Sequence, residues 1–430
     1  MWQESDPIIS SILQKSRSSY KHELLLDNTV GIPILQQHGS DDDNVPVYHS
    51  RLMHELSKQA QWPSQFIELP GKGHWFEGVM TTPSLLKFYE ENTASTHRLG
   101  IPLVFIIKIP PSGDIGSVYG ISVDQLKSPD LKGQIKIIRN PNTGVWYLRT
   151  HNIHRFHLSA SPRVHKPIAL VLDDEEHPFI VDPDQSEETW YLKDILGQWT
   201  TSCETAWKGV HQRHGRQKGA MDAILRSHGA FTVFACSPDI GHMALQISRN
   251  LFQYFAADSQ IIEKCSTNAP LSNGTSDDEV GNSIILAIGD DLPPSKNPAF
   301  PIGVRHHKLV LSRTCSGSQL CPVAGPKPTG EQRYASEYAY EEGLGALFLR
   351  PLKNERLELV VWGADSKGLE QAARLVPTLT GVGQPDFLVL SHSCRCKGHG
   401  GLYAAGHFDK FWQISPSSYV SDESRLSGSI

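Results

Sequence analysis

Residues 1–97 alternate between helical and strand-like patterns of apolar positions. Apolar residues three and four positions apart predict amphipathic helices, and short apolar runs bounded by polar residues predict buried strands. Asp6, followed by Pro7, predicts the start of a helix. The predicted elements are helices at about 7–26, 47–61 and 85–89, and strands at 31–38 and 65–69. The order strand, helix, strand, helix is typical of a parallel α/β sheet.

A β-rich pattern replaces this alternation over residues 98–210. Short runs of β-branched, aromatic and other apolar residues are separated there by turns that contain Pro, Gly and Asn. The predicted strands lie at 103–109, 134–139, 145–149, 155–158 and 168–172. Strands of this length and spacing are typical of a small β-sandwich or barrel, and we expect a sandwich-like domain.

The α/β alternation returns over residues 211–415. The predicted strands lie at 232–235, 284–288, 309–311, 346–349, 357–362 and 387–390, and the predicted helices at 241–255 and 369–379. Polar stretches at 266–278 and 312–332 predict surface loops, and residues 416–430 predict a disordered tail. The pattern therefore predicts an α/β fold class with three domains, 1–97, 98–210 and 211–415, the middle one β-rich.

The composition of the chain indicates which kinds of partner and which cellular compartment to expect. The chain has 430 residues, enough for two to four domains, of which 39% are hydrophobic and 20% charged. Its net charge of −6 shows no basic excess, which argues against nucleic acid or an anionic membrane as a partner. No apolar run approaches the roughly 20 residues that a membrane span needs. The seven cysteines are irregularly spaced and predict reduced thiols. With no signal-peptide pattern at the N-terminus, a cytoplasmic protein is expected.

Two polar motifs follow the two strands predicted in residues 1–97. The first is His38-Gly39-Ser40-Asp41-Asp42-Asp43-Asn44-Val45-Pro46, and the second is Pro70-Gly71-Lys72-Gly73-His74. A hydrolytic triad needs a carboxylate that orients a histidine, which in turn deprotonates a serine. In α/β-hydrolases the chain order is serine, acid, histidine. An acid after one strand and a histidine after the next, with one helix between them, fits that order.

These motifs resemble the catalytic domain of prolyl oligopeptidase-type serine peptidases and their esterase relatives. The resemblance covers residues 20–90 and places the family's acid on Asp42 and its base on His74. Asp41 and Asp43 flank the acid and are not expected to replace it. The resemblance implies the last two strand–helix units of an α/β-hydrolase. It also implies transfer of an acyl group from a peptide or ester substrate to water, with no cofactor and no metal.

The chain lacks the nucleophile that the resemblance implies. No Gly-x-Ser-x-Gly occurs in the sequence, and only about 30 residues precede the first predicted strand. We therefore expect the serine to lie upstream in a longer polypeptide and the chain as given to be inactive. The alternative is a non-catalytic protein in which a hydrolase remnant supports a binding surface on residues 98–415. The sequence does not indicate an oligomeric state.

Two histidine-rich stretches are weaker candidates for chemistry. The first contains His392, Cys394, Cys396, His399 and His407. Its Cys-x-Cys spacing is one residue tighter than structural zinc sites use, so a loop is favoured over a metal site. The second contains His151, His154 and His157, which alternate with apolar residues and predict the polar face of an edge strand.

Overall fold

A computed structural model describes residues 6–60, 62, 64–93, 102–111, 113–159, 166–182, 188–194, 196–263, 265, 280–315, 332–376 and 383–421. These residues form a mixed α and β protein with several sheets, which is compatible with the α/β class. The α-helices are α1 (Pro7–Ser16), α2 (Tyr48–Gln59), α3 (Pro83–Thr93), α4 (Gly241–Phe255), α5 (Ser366–Ala373) and α6 (Cys394–Lys397). No helix in this part of the chain is both long enough and apolar enough to cross a bilayer.

The first unit, residues 31–93, contains two parallel strands, β1 (Leu35–Gly39) and β2 (Gln65–Leu69). They pair from Leu35 opposite Gln65 to Gly39 opposite Leu69, with α2 between them along the chain. The parallel arrangement predicted from the order of the elements is confirmed for this pair. Strand β1 begins at residue 35 rather than 31, because the chain turns at Gly31, where φ is +87° and Ile32 N–H donates to Thr29.

Residues 7–30 precede this unit but pack elsewhere. Asp6 caps α1 through hydrogen bonds from the backbone N–H groups of Ile8 and Ile9, as predicted. The helix ends at Ser16 rather than near 26, and the Ser16 hydroxyl donates back to the carbonyl of Ile12, a contact that competes with helix propagation. The buried face of α1 joins the core of residues 206–421 and contacts two of its strands, at 402–406 and 419–420.

In the β-rich unit, residues 102–202, the described residues form ten strands in two five-stranded sheets. They are β3 (Val104–Ile109), β4 (Ser117–Val118), β5 (Ile121–Leu126), β6 (Gly133–Asn140), β7 (Val145–His151), β8 (Ile153–Leu158), β9 (Ala169–Leu172), β10 (Phe179–Ile180), β11 (Trp190–Lys193) and β12 (Trp199–Ser202). One sheet has the order β10-β9-β7-β6-β3 and the other β12-β11-β8-β5-β4. Both contribute side chains to one core, as in a sandwich.

The α/β unit, residues 206–421, is built on an eight-stranded sheet of order β14-β13-β15-β20-β19-β21-β22-β23. Its strands are β13 (Phe231–Ala235), β14 (Ser259–Ile262), β15 (Ser283–Ile288), β19 (Gly345–Pro351), β20 (Leu357–Gly363), β21 (Phe387–Leu390), β22 (Leu402–Gly406) and β23 (Tyr419–Val420). A separate antiparallel sheet contains β16 (Ile302–Arg305), β17 (Lys308–Cys315) and β18 (Gln332–Ala339). Strands β14, β13, β15 and β20 are parallel. The central strands are almost continuously apolar because both of their faces are buried.

The prediction that the cysteines are reduced is wrong for one pair. A disulfide joins Cys236, after β13, to Cys265, after β14, with the two Cα atoms 4.6 Å apart. The two residues are 29 positions apart in sequence and meet because β13 and β14 are parallel neighbours joined by α4. Within the described part of the chain, Cys394 and Cys396 are free thiols.

Two predictions of irregular structure need correction. The expected disordered tail is ordered over residues 416–421, because β23 pairs with β22 and the Ser417 hydroxyl donates to buried Asp130. The loop expected at 312–332 is shorter than predicted, because residues 312–315 belong to β17 and residue 332 belongs to β18. Three stretches of these predictions lie outside the described residues. They are the loop at 266–278, the rest of the second loop at 316–331, and the rest of the tail at 422–430.

Candidate active site

The predicted acid and base meet at the carboxyl ends of β1 and β2. Asp42 lies in the loop after β1, and His74 lies in the loop after β2. Parallel strands that are adjacent place these two loops on the same edge of the sheet. The Nδ1 atom of His74 is 2.9 Å from Oδ2 of Asp42, which is a hydrogen bond between the two side chains.

Local hydrogen bonds fix the orientation of the Asp42 carboxylate. Its Oδ1 accepts the backbone N–H groups of Asn44 at 3.0 Å and Val45 at 2.8 Å, which leaves Oδ2 for the histidine. Only 5% of its side chain is exposed. Burial raises the pKa of Asp42, but the hydrogen bonds from Val45, His74 and Asn44 outweigh burial, so the pKa lies below its ordinary value. The carboxylate is therefore charged at neutral pH.

Backbone contacts hold the two loops together. Asp41 N–H donates to the carbonyl of Lys72 at 3.0 Å, and the Ser40 hydroxyl accepts Gly71 N–H at 2.9 Å. Gly39 is required for this approach, because a Cβ atom there would lie 2.2 Å from the Lys72 carbonyl oxygen. The glycine of the first motif thus has a steric reason to be present.

The sequence did not predict a second histidine beside the acid. His38 Nε2 lies 3.1 Å from Asp42 Oδ2 and 2.8 Å from the carbonyl oxygen of Val45, while its Nδ1 lies 2.8 Å from the Ser50 hydroxyl. The sequence did contain a signal, since His38 is the last residue of the predicted strand and the first residue of the motif. His38 therefore contacts the same carboxylate oxygen as His74 and links it to the acid loop at Val45.

The side chains of Asp41 and Asp43 do not contact His74. Both residues are exposed, and the Asp41 carboxylate accepts the neighbouring Ser40 hydroxyl at 2.6 Å. Of the three consecutive aspartates, Asp42 alone is placed to orient the histidine.

The free side of His74 faces open space. The imidazole is 31% exposed, and its Nε2 has no hydrogen-bond partner among the residues that the structure describes. The exposed ring of Trp75 lies edge-on to it at 4.9 Å between centroids. An oriented imidazole with an open Nε2 can act as a general base, but no described serine hydroxyl is in reach of it.

Among the units of the described chain, the first unit has the smallest apolar core. Between Leu26 and Phe105, no described hydrophobic side chain is fully buried. Large apolar side chains are instead well exposed there: Ile32, Val45, Tyr48, Leu52, Trp75, Met80, Leu86 and Tyr89. Apolar side chains exposed in this number, in a unit without a buried apolar core, indicate a surface that another segment or protein covers.

A second chain of serine, histidine and aspartate lies in the β-rich unit. His157 Nδ1 is 2.8 Å from Asp124 Oδ2, and its Nε2 is 3.1 Å from the Ser159 hydroxyl. However, Glu188 Oε1 is 3.0 Å from the same Nε2, and a nitrogen that donates to a carboxylate cannot accept a serine proton. The backbone N–H of Ser159 is also bonded to Gly120, so it cannot stabilise an oxyanion. This geometry is that of a structural ion pair.

Of the two histidine-rich stretches noted in the sequence, the one at 151–157 differs from its prediction and the one at 392–407 forms no cluster of metal ligands. Strand β8, which carries His154 and His157, lies between β11 and β5, so the prediction of an edge strand is wrong. Cys394 and Cys396 lie on α6, whereas His407 is buried near Asp386, at 3.8 Å from its Oδ2. In the described ranges, no group of three or more His, Cys, Asp or Glu side chains could hold a metal ion.

Comparison with known proteins identifies a relative but no family. No protein-family model matches the chain. The chain is 43% identical over 425 residues to an uncharacterized secreted protein of Arthroderma benhamiae. The match covers 98% of this chain but only 43% of that protein, so the chain spans less than half the length of this relative.

Proposed function

We propose that residues 31–93 are the C-terminal part of the catalytic domain of a prolyl oligopeptidase-type serine hydrolase. Asp42 is its acid and His74 its base. The observation that carries the proposal is the hydrogen bond between His74 Nδ1 and a charged, buried Asp42, at the carboxyl ends of adjacent parallel strands. Two further features support it: the open Nε2 of His74 and the exposed apolar surface of the first unit.

The roles of the two residues follow from this geometry. Asp42 fixes the tautomer of His74 that keeps the proton on Nδ1, so that Nε2 can accept one. A serine hydroxyl would pass its proton to Nε2 as its oxygen attacks the substrate carbonyl. His74 would then return that proton to the leaving amine or alkoxide, and a water molecule would repeat the sequence to release the acid. The substrate class is a peptide or an ester.

The serine belongs, in this proposal, to a longer polypeptide. The relative from Arthroderma benhamiae is more than twice as long as this chain, which leaves room for further strands and a nucleophile. Those strands would cover the exposed apolar side chains of the first unit. The alternative, a non-catalytic scaffold, is favoured by the lack of a serine near His74 in the described residues. It gives no reason for Asp42 and His74 to be aligned.

An oxidising compartment is the better proposal for where the protein works, in place of the cytoplasm. Disulfides persist in secreted proteins and are rare in the cytosol, and Cys236 and Cys265 form one. The name of the relative describes that protein as secreted.

The first experiment is to sequence the transcript upstream of Met1. We expect an in-frame Gly-x-Ser-x-Gly followed by at least one further strand–helix pattern before residue 31. An in-frame stop codon directly upstream would refute the serine hydrolase and leave the scaffold.

The second experiment treats the purified 430-residue chain with a fluorophosphonate probe, which modifies activated serines. We expect no labelling, because no described serine is hydrogen-bonded to His74. Labelling that disappears in Ser159→Ala would instead assign the reactivity to the β-rich unit. Labelling that disappears in His74→Gln would show that the chain supplies its own nucleophile.

A further inference from the structure

His38 lies near the end of β1 with only 10% of its side chain exposed, and both of its ring nitrogens have partners. Its Nε2 hydrogen-bonds the carbonyl oxygen of Val45 at 2.8 Å and lies 3.1 Å from Oδ2 of Asp42. Its Nδ1 lies 2.8 Å from the hydroxyl oxygen of Ser50 in α2. One imidazole therefore connects the strand, the loop that carries the acid and the helix that follows this loop.

The partners of His38 determine which of its ring nitrogens carries the proton. A backbone carbonyl and a carboxylate only accept hydrogen bonds, so the proton is on Nε2. In the neutral ring Nδ1 is then an acceptor, and the Ser50 hydroxyl donates to it. His74 has the opposite tautomer, because its Nδ1 is the nitrogen that faces the carboxylate. Two imidazoles of opposite tautomer thus meet at one oxygen atom, Oδ2 of Asp42.

These contacts make His38 a support for the acid and not a second base. A general base needs an unprotonated nitrogen within reach of the substrate, and the unprotonated Nδ1 of His38 is occupied by Ser50. The contact of Nε2 with Val45 instead acts on the acid, because Val45 N–H donates to Oδ1 of Asp42 at 2.8 Å. The backbone of Val45 is therefore bonded to His38 through its carbonyl and to Asp42 through its N–H.

The position of the Val45 backbone decides which carboxylate oxygen faces His74. The N–H groups of Val45 and Asn44 hold Oδ1 of Asp42, so that Oδ2 is the oxygen presented to the imidazole. Rotation of an aspartate carboxylate about its χ2 bond is otherwise soft and roughly two-fold. If the Val45 backbone turned away, the carboxylate would lose one of the donors that fix this rotation, and the hydrogen bond to His74 would weaken.

We propose that His38 is a positioning residue that, through the backbone of Val45, directs Oδ2 of Asp42 at the imidazole of His74. Ser50 takes part indirectly, because its hydroxyl keeps the proton of His38 on Nε2. The effect of His38 on catalysis rests on the proposed function. Its effect on the hydrogen bond between Asp42 and His74 does not, so the two can be tested separately.

The experiment compares two substitutions of His38 that each keep a polar nitrogen at one position of the ring. The side-chain amide nitrogen of glutamine reaches the position of Nε2 in histidine, and that of asparagine reaches only the position of Nδ1. His38→Gln therefore keeps the donor to Val45, whereas His38→Asn removes it and keeps a polar group near Ser50. In the purified 430-residue chain, the NMR signal of the His74 Nδ1 proton gives the rate at which this proton exchanges with water.

We expect His38→Asn to speed up exchange of the His74 Nδ1 proton roughly two- to tenfold, the effect of losing one hydrogen bond. His38→Gln should exchange at the wild-type rate, and Ser50→Ala should be faster than wild type but slower than His38→Asn. In the polypeptide extended upstream, His38→Asn should lower kcat roughly ten- to a hundredfold and leave KM unchanged, because only the alignment of the base is lost. It should add nothing to the loss in Asp42→Asn, the residue through which His38 acts.

Two results would overturn the proposal: a wild-type exchange rate in His38→Asn, and equal rates in His38→Asn and His38→Gln. The second would show that His38 only fills space in the fold. If His38→Asn does not fold, Ser50→Ala decides the matter, since it keeps the imidazole, and a wild-type rate there refutes the positioning role.

The two measurements also separate this role from the proposed function. Faster exchange in His38→Asn together with an inactive extended polypeptide would support the positioning role and refute the hydrolase. Hydrolysis that depends on Asp42 but not on His38 would support the hydrolase and refute the positioning role.

Discussion

The first unit and the α/β unit both build a buried carboxylate into a hydrogen-bonded pair, but in very different surroundings. Asp386 is fully buried, holds Arg213 through both carboxylate oxygens at 2.6 and 2.8 Å, and lies within a large apolar core. Asp42 holds His74 at an edge where apolar side chains face solvent. The first pair is enclosed by the apolar core, whereas the second leaves the imidazole of His74 open to solvent.

The comparison also shows that sequence neighbours are not always packing neighbours. Helix α1 precedes the first unit but is buried in the core of the α/β unit, 200 and more residues away along the chain. Asn28 exchanges two hydrogen bonds with the backbone of Lys108 in β3, at 2.8 and 2.7 Å. Residues 31–93 therefore lie between two segments of the chain that pack against the other units.

Asp386→Asn should have the largest effect on stability. The substitution leaves the buried Arg213 charge without its partner, and breaking a buried ion pair in this way costs about 3–5 kcal/mol. Urea unfolding should show this loss, whereas Asp42→Asn should change the free energy of unfolding far less. Equal losses for the two variants would remove the distinction between the two carboxylates.

Ile12→Ala should destabilise the protein by about 2–5 kcal/mol, because it opens a cavity in the core of the α/β unit. The matched variant is Ile67→Ala in β2, where the side chain is only partly buried. It should cost clearly less in the same urea titration. A greater loss for Ile67→Ala would mean that the first unit, and not α1, stabilises the fold.

Cys236→Ser should lower the free energy of unfolding by about 2–4 kcal/mol, since the disulfide closes a loop of 29 residues in the unfolded chain. The effect should vanish when wild type and variant are compared in excess reductant. Cys396→Ser, which removes an exposed free thiol, is the control. If the full difference in the free energy of unfolding persists in excess reductant, the loss is due to packing and not to the disulfide.

The pH dependence of the Asp42–His74 contact is the smallest of the predicted effects. Because the pKa of Asp42 is depressed in the folded state, its charged form stabilises that state above the ordinary value of about 4. The stabilisation is lost as the pH falls through the lower folded value. The NMR signal of the His74 Nδ1 proton should report the contact and be lost in Asp42→Asn but not in Asp41→Asn. An unchanged signal in Asp42→Asn would place the proton on another partner.

Elements with a strong local pattern could be predicted from the sequence. Strands at 65–69 and 387–390 and the helix at 241–255 have the predicted bounds, because their apolar periodicity is set by the residues themselves. The contact between Asp42 and His74 could also be predicted, since two adjacent parallel strands bring the loops that follow them to one edge.

Features that depend on long-range packing could not be predicted. Nothing in the sequence near α1 indicates that Ile9, Ile12 and Leu13 are buried in the α/β unit, because an amphipathic face does not specify its partner. The pairing of Cys236 with Cys265 depends on which strands are neighbours. The predicted division at residues 97 and 210 remains a prediction.

The central claim is that Asp42 and His74 are the acid and base of a serine hydrolase, and the most direct test is ester hydrolysis by the polypeptide extended upstream to its Gly-x-Ser-x-Gly. Loss of the orienting carboxylate costs a hydrolytic triad on the order of 10⁴-fold in kcat. We therefore predict a loss of that size for Asp42→Asn and an unchanged kcat for the matched variant Asp41→Asn. Wild-type kcat in Asp42→Asn would contradict the account.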